Sequence, residues 1–185
     1  LGPHLAAVKA RFGLDNLQVV NKGLSSSPGV MRMRRSRAGS GMASFHFGRD
    51  DELEEIEIAV TTLDGCLAGS VGGPVRFIKC DVEGHELEVF KGAAGILRRD
   101  GPVLLFECHH NEAEEGSLFS FLSELGYDGA FFQVEPADHR NLLRRTRGRY
   151  VHFSEFSRHP YVRPNVRHRN YLFVRPPDRI PGVHG

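Results

Sequence analysis

Residues 75–90 read VRFIKCDVEGHELEVF, and within this stretch an apolar strand pattern gives way to a helix pattern. The apolar side chains of residues 75–80 are typical of a buried strand. Three acidic residues then follow within six positions, at Asp81, Glu83 and Glu86. A buried carboxylate is costly unless it has partners, so we predict a polar site where the strand ends.

The segments after this stretch continue to alternate between strand and helix patterns. Apolar residues at helical spacing predict one helix from Leu87 to Arg99, which the Gly-Pro pair at 101–102 ends. A second buried strand is predicted at residues 103–106, another helix from Ser117, and strands at residues 130–134 and 171–174. Strands joined by helices imply right-handed crossovers, so we predict an α/β protein with a mainly parallel sheet.

Shorter patterns precede this regular part. Residues 17–20 predict a short strand, residues 30–34 an edge strand or hairpin arm, and residues 55–60 another strand. Thr62 is predicted to cap a short helix, in which Asp64 has a structural role.

Polar side chains follow both central strands. Asp81 and Glu83 come after the first, and Glu107, His109 and His110 come after the second. The carboxyl ends of adjacent parallel strands meet at one edge of a sheet, where such sheets bind ligands. We therefore expect these groups to converge on one crevice, except His110, which is expected at the surface. For two of these residues a purely structural role is the alternative. Asp81 could cap a turn, and Glu83 could be an acidic residue that stabilises the N-terminus of the following helix.

Composition limits the class of protein. The 185 residues fit one domain, and the 40% hydrophobic content can fill a core. There is no secretory signal pattern and no apolar stretch of about 20 residues, so no membrane association is expected. The three cysteines, Cys66, Cys80 and Cys108, include no C-x-x-C pair. This favours a reducing compartment, predicted to be the cytoplasm, with Cys80 and Cys108 as small buried residues.

The net charge of +1 conceals a strong asymmetry along the chain. Residues 1–49 hold eight Lys or Arg against one acid, residues 50–139 hold five against twenty, and residues 140–185 hold eleven against two. Basic ends of this kind could meet an anionic partner or pair with the acidic middle of the same fold. No stacking-aromatic motif for nucleic acid accompanies them, so no nucleic-acid partner is expected.

A family resemblance emerges from these motifs together. Residues 78–86, IKCDVEGHE, resemble the hallmark segment of the FkbM-type methyltransferases. The agreement extends in order and spacing to other segments: NLQVVNKGLS at 16–25, TLD at 62–64, PVLLFECH at 102–109, LGY at 125–127 and NYLFV at 170–174. The ordered set spans residues 14–134 and the last strand.

The resemblance implies an S-adenosylmethionine-dependent methyltransferase, associated with O-methylation of a hydroxyl on a sugar or secondary metabolite. It implies a Rossmann-like class I sheet whose last strand is antiparallel. It also implies site roles: Asp81, Glu107 and His109 would be catalytic, and Asp81, Glu83, Asn21, Leu24 and Ser25 would hold the cofactor. The acceptor would be a small molecule or a glycan hydroxyl.

The sequence departs from the family pattern at its start. The glycine-rich turn and the ribose-binding acid of such enzymes do not occur, so we predict a sheet that lacks its first two strands. Residues 1–175 would form a partial methyltransferase domain, with residues 176–185 as a C-terminal tail. The 185 residues alone are expected to bind S-adenosylmethionine weakly or not at all, and their exposed edge could pair two copies as a homodimer.

Two other classes of protein remain open. One is a catalytically inactive methyltransferase-like binding protein or fragment. The other is a metal-dependent enzyme on the same core, since Asp81, Glu83, Glu107 and His109 offer hard and borderline ligands. A divalent metal is also compatible with the methyltransferase reading, where it would orient a diol. Glu86 is expected to be a solvated or ion-paired helix residue.

Overall fold

The computed structural model describes residues 2–36, 43–44, 53–69, 73–108, 115–134, 148–152 and 169–175. Its helices are α1 (Gly2–Phe12), α2 (Leu63–Leu67), α3 (Glu86–Lys91), α4 (Ala94–Asp100) and α5 (Ser117–Glu124). Its strands are β1 (Gly23–Leu24), β2 (Gly29–Ser36), β3 (Ala43–Ser44), β4 (Leu53–Thr61), β5 (Phe77–Cys80), β6 (Val103–Cys108), β7 (Asp128–Val134), β8 (Gly148–His152) and β9 (Arg169–Val174).

The larger sheet has five strands in the order β5-β6-β9-β7-β8. Only the β5–β6 ladder is parallel, so the prediction of a mainly parallel sheet is not confirmed. The strands β5, β6 and β7 do run in one direction, but β9 lies antiparallel between β6 and β7 and pairs with both. The expected antiparallel last strand is therefore present, and the protein is a mixed α/β structure.

The second sheet has the order β1-β4-β2-β3 and is built on the antiparallel pair β2–β4. Its two faces differ because the side chains alternate. Arg34 bonds Glu55 across the strands at 3.2 Å on the exposed face, and Arg32 and Glu57 form a similar pair. Met31 lies opposite Ile58 on the half-buried face. The predicted hairpin arm and strand are thus confirmed.

Residues 17–20 do not form the predicted strand, because they enter no ladder with any described strand. Their apolar pattern remains partly exposed, with Val20 46% exposed. The nearby strand is β1 instead, which pairs in parallel with the end of β4.

The hydrophobic core lies between the larger sheet and helices α3, α4 and α5. Phe106 of β6 is its centre, with the rings of Phe90, Tyr171 and Phe173 each 5.4 Å away. Alternate residues of β6 are fully buried and half-buried, so the helices cover one face of the sheet. On the other face, Phe77 is 55% exposed. Cys80 and Cys108 are buried on the core face, as predicted.

The predicted single helix after β5 is two helices, and Asp64 provides the physical reason for the break. In a continuous helix the Ile96 N–H would donate to the Gly92 carbonyl. Here the Asp64 N–H donates to that carbonyl at 3.0 Å. The Asp64 carboxylate accepts from the N–H groups of Gly95 at 2.8 Å and Ile96 at 2.9 Å. The structural role predicted for Asp64 is therefore confirmed, and Thr62 caps α2 as expected.

Two glycines at the junction of α3 and α4, which is called the joint below, allow these helices and the second sheet to approach closely. A side chain at Gly92 would collide with the carbonyl oxygen of Ser25, which follows β1. A Cβ at Gly95 would lie 2.8 Å from the carboxylate of Asp64. The joint thus fixes the position of the second sheet against α3 and α4, and it has no room for larger residues.

We predict that Asp64→Asn lowers the free energy of unfolding by about 1–3 kcal/mol, because the amide cannot accept both helix N–H groups. Urea unfolding measures this loss, and hydrogen exchange should quicken at the Gly95 and Ile96 amides. Glu124→Gln, at an exposed position of α5, is the matched control and should change neither value. Unchanged exchange at these two amides would contradict the assigned role of Asp64.

The last residue of α4 ties the helix to the start of β5. The Asp100 carboxylate accepts from the Val75 N–H at 2.9 Å and from the Arg99 guanidinium at 2.7 Å. The Arg99 hydrogen bond, followed by the Val75 N–H, lowers the pKa of Asp100 to about 2. Arg175, which follows β9, donates to the Leu97 and Arg98 carbonyls at the same helix end.

This lowered pKa makes stability depend on pH in a stated direction. The charged carboxylate stabilises the fold above its ordinary pKa of 3.8, and that contribution is lost as the pH falls toward 2. We predict that Asp100→Asn lowers the melting temperature at pH 7, and that the difference from the wild type closes between pH 4 and pH 2. Thermal melts across this range test it, with Asp15→Asn as the exposed control. A constant difference over the range would be the contrary result.

Candidate functional site

The two central strands present their carboxylates at the same edge of the sheet. Cys80 pairs with Phe106 in the parallel β5–β6 ladder, so Asp81 and Glu107 occupy corresponding positions. Both side chains belong to the sheet face that α3, α4 and α5 leave uncovered, since Cys80 and Phe106 point into the core. The parallel register therefore places Asp81 and Glu107 at the same end of the sheet, and the crevice predicted there with Glu83 and His109 stays a prediction.

Glu86 organises the turn that follows β5. Its carboxylate accepts from the Val82 N–H and from the Gly84 N–H, both at 3.0 Å. The residue is 2% exposed, so the expectation of a solvated side chain is wrong, while the alternative of an ion pair stays a prediction. The reason is local: a carboxylate at the start of α3 reaches back to two turn N–H groups that would otherwise lack acceptors.

The turn held by Glu86 has an unusual backbone. Glu83 has φ of +55° and Gly84 has φ of +94°. The left-handed region is costly for a residue with a side chain, and it persists where the surroundings enforce it. Glu83 is half-buried. The turn therefore fixes the direction in which the Glu83 side chain leaves the backbone, next to Asp81.

Lys79 brings a positive charge to this edge. Its ammonium lies 3.0 Å from the Asp81 carboxylate. The hydrogen bond and the charge of Asp81 raise the pKa of Lys79, and the charge of Glu107 adds to the effect. The Lys79 and Asp81 side chains are 57% and 38% exposed, so the pair is accessible to a ligand.

A buried hydrogen bond connects this turn to the second sheet. Nε2 of His85 and Oγ of Ser25 are 3.1 Å apart, and both residues are buried. Leu24 packs against the core cluster, while Asn21 is exposed. The structure thus brings Ser25 to the segment that contains Asp81 and Glu83. It occupies the Ser25 hydroxyl with His85, so Ser25 has a structural bond as well as its predicted cofactor role.

His109, a predicted site residue, and His110, which was expected at the surface, both lie outside the described residues. Among the residues that the structure describes, no group of three or more His, Cys, Asp or Glu side chains could hold a metal ion. Burial and the charges of Glu86 and Asp81 raise the pKa of Cys80, so this thiol stays protonated beside the site.

A cavity of about 740 Å³ lies elsewhere, between α2 and α4. Its walls include Asp64, Leu67, Ile96, Arg99 and Asp100. Pro74, which precedes β5, also lines it, so the cavity is at the opposite end of β5 from Asp81. Its two carboxylates already serve as helix and strand contacts. The cavity therefore does not coincide with the crevice that the sequence predicted.

Three of the residues that shape the site were not among the predicted site residues. They are Lys79, His85 and Glu86. The signal for Glu86 was its place at the first helical position after a glycine, where a carboxylate can bind turn N–H groups. Lys79 had a signal in its spacing, because residues two apart on a strand share a face. His85 gave no such signal, since its partner is 60 residues away.

Comparison with known protein families identifies the family of this chain. The model of the methyltransferase FkbM domain matches residues 5–168, which is most of the chain. This chain belongs to the FkbM methyltransferase family. No curated protein and no solved structure gives a match. No helix in the described parts of the chain has the length and apolar character needed to span a membrane.

We predict that Glu86→Ala destabilises the protein by about 2–3 kcal/mol, because two turn N–H groups lose a charged acceptor. Glu88→Ala is the control, since Glu88 lies two residues along α3 and bonds Lys91 and Ser26 in place of the turn N–H groups. Thermal melts and hydrogen exchange at the Val82 and Gly84 amides measure the effect. Equal losses in the two variants would show that Glu86 does not hold the turn.

Proposed function

We propose that this protein is an S-adenosylmethionine-dependent methyltransferase that methylates a hydroxyl oxygen of a small molecule or glycan. The observation that carries the proposal is the position of Asp81 and Glu107 at the carboxyl ends of two neighbouring parallel strands, within a chain of this family. The uniform direction of β5, β6 and β7, with β9 antiparallel between the last two, supports a Rossmann-like methyltransferase sheet.

The chemistry places modest demands on the protein. The bound cofactor supplies a methyl group already activated by its sulfonium, so the methyl–sulfur bond breaks as the methyl–oxygen bond forms. The chain must align the acceptor oxygen and accept its proton. A general base near the acceptor contributes roughly 10²–10⁴-fold to such a step.

The described residues divide these tasks by position. Asp81 is fixed by Lys79 and by the turn that Glu86 holds, so it suits the orientation of the acceptor hydroxyl or of the cofactor's amino group. Glu83 leaves the same turn, and Glu107 stands beside Asp81 on β6. Ser25 follows β1 of the second sheet and bonds His85 of the turn. Asn21, Leu24 and Ser25 are proposed to lie near the adenosyl part of the cofactor.

His109 is our candidate for the proton acceptor. It follows Glu107 by two residues along the chain, and imidazole has the pKa suited to base catalysis near neutral pH. A carboxylate is a weaker base unless desolvation raises its pKa. We therefore assign orientation to Asp81 and proton removal to His109.

The donor set at the edge fits a divalent metal poorly. Carboxylate oxygens are the preferred ligands of hard cations, and Asp81 and Glu107 supply them. The ammonium of Lys79 already occupies the space beside Asp81, at 3.0 Å. The ammonium would repel a metal ion bound there, so the proposed mechanism uses no metal.

We predict that His109→Ala lowers the turnover by roughly 10²–10⁴-fold with little change in cofactor affinity, while Asp81→Asn reduces both. Methyl transfer and titration calorimetry with S-adenosylmethionine measure these values on the protein at its natural length. His110→Ala is the control and should retain turnover. Full turnover of His109→Ala from pH 6 to pH 8, with and without chelator, would mean that the base is one of Asp81, Glu83 and Glu107.

A further inference from the structure

Lys79 belongs to β5 and Asp81 directly follows the strand, so both lie on the side of the chain opposite the buried Cys80. The parallel register places Lys79 opposite Leu105 of β6, one pleat before Glu107 on that face. Both carboxylates act on its ammonium: Asp81 by a hydrogen bond at 3.0 Å, and Glu107 through its charge. Among the described residues, the edge therefore holds Asp81 and Glu107 with the Lys79 ammonium beside them.

Lys79 contributes little to folding. Its side chain is 57% exposed, and ion pairs that exposed add little to stability because water and salt screen them. A role for its charge must therefore be sought in what the edge binds. The ammonium is charged throughout the neutral range, since the ordinary pKa of lysine is 10.5 and the hydrogen bond with Asp81 raises the pKa of Lys79 further.

We propose that the Lys79 ammonium is the resident counter-ion of Asp81 and Glu107, and that it excludes a divalent metal from this edge. A divalent ion bound by Asp81 would lie next to the ammonium. Coulomb repulsion between them at about 6 Å in water weakens metal binding by about tenfold, and by more where the site is less hydrated.

The proposal narrows the class of acceptor, and this step rests on the proposed methyltransferase function. A metal-dependent enzyme can hold two neighbouring oxygens of a diol as metal ligands. When an ammonium replaces the metal, the acceptor is held by hydrogen bonds instead. Lys79 donates one to the acceptor, and Asp81 accepts one from it. The expected acceptor is a single hydroxyl that needs no chelated metal.

Titration of Mn²⁺ into the chelator-treated chain by calorimetry, at low ionic strength to limit screening, tests the exclusion directly. Lys79→Met removes the charge at similar length, and Lys79→Arg retains it. We expect the wild type and Lys79→Arg to show no saturable binding below about 1 mM, and Lys79→Met to bind at least about tenfold more tightly. The double variant Lys79→Met with Asp81→Asn should lose that binding.

Several results would overturn the proposal. One is saturable Mn²⁺ binding by the wild type that Asp81→Asn removes. Another is an affinity in Lys79→Met no greater than in the wild type, including no binding in either. Circular dichroism confirms that each variant is folded. Since the titration needs neither cofactor nor acceptor, its failure is distinct from a failure of methyl transfer.

Discussion

The fold depends on the insertion of Asp64 between α3 and α4. In a continuous helix the Ile96 N–H would donate to the Gly92 carbonyl. Asp64 replaces that bond, because its own N–H donates to the Gly92 carbonyl and its carboxylate accepts from the Ile96 N–H. Positions 92 and 95 hold glycine because the insertion leaves no room for a side chain there. Because the joint holds the Ser25 carbonyl against Gly92, it also places the Ser25 hydroxyl within reach of His85. The second sheet is thereby fixed against the turn that carries the site.

Four acidic residues near this turn and joint have different roles because their surroundings differ. Asp64 and Glu86 accept backbone N–H groups and are used by the fold. Asp81 and Glu107 stand at the strand edge, on the face that the described helices leave uncovered. This division suits a site, because the carboxylates that hold the backbone in place keep Asp81, which is 38% exposed, where a ligand can reach it. Lys79 then balances the charge of Asp81.

Most of the strands, the hairpin arm, the Thr62 cap and the place of Asp81 and Glu107 at one end of the sheet could be predicted, because each depends on local pattern or strand direction. The strand predicted at residues 17–20 was wrong, since its apolar pattern pairs with no described strand. The sheet order could not, because β9 reaches its place between β6 and β7 through contacts distant in sequence. The helix break was missed since a regular apolar spacing runs through residues 87–97, and its cause is Asp64, about thirty residues upstream. The burial of Glu86 was missed because an acidic residue in a helix is expected to face solvent. That expectation does not consider that the N–H groups of the preceding turn need an acceptor.

The central claim is that the turn after β5 is where the cofactor binds, and photo-cross-linking tests it most directly. Methyl-labelled S-adenosylmethionine would be irradiated with the protein at its natural length, which is then digested with trypsin. Cleavage after Lys79 and Lys91 isolates residues 80–91, which contain the whole turn. The account predicts that the label is in this peptide and is competed away by unlabelled cofactor. Competable label confined to residues 50–76 or 92–98, which line the cavity between α2 and α4, would contradict it.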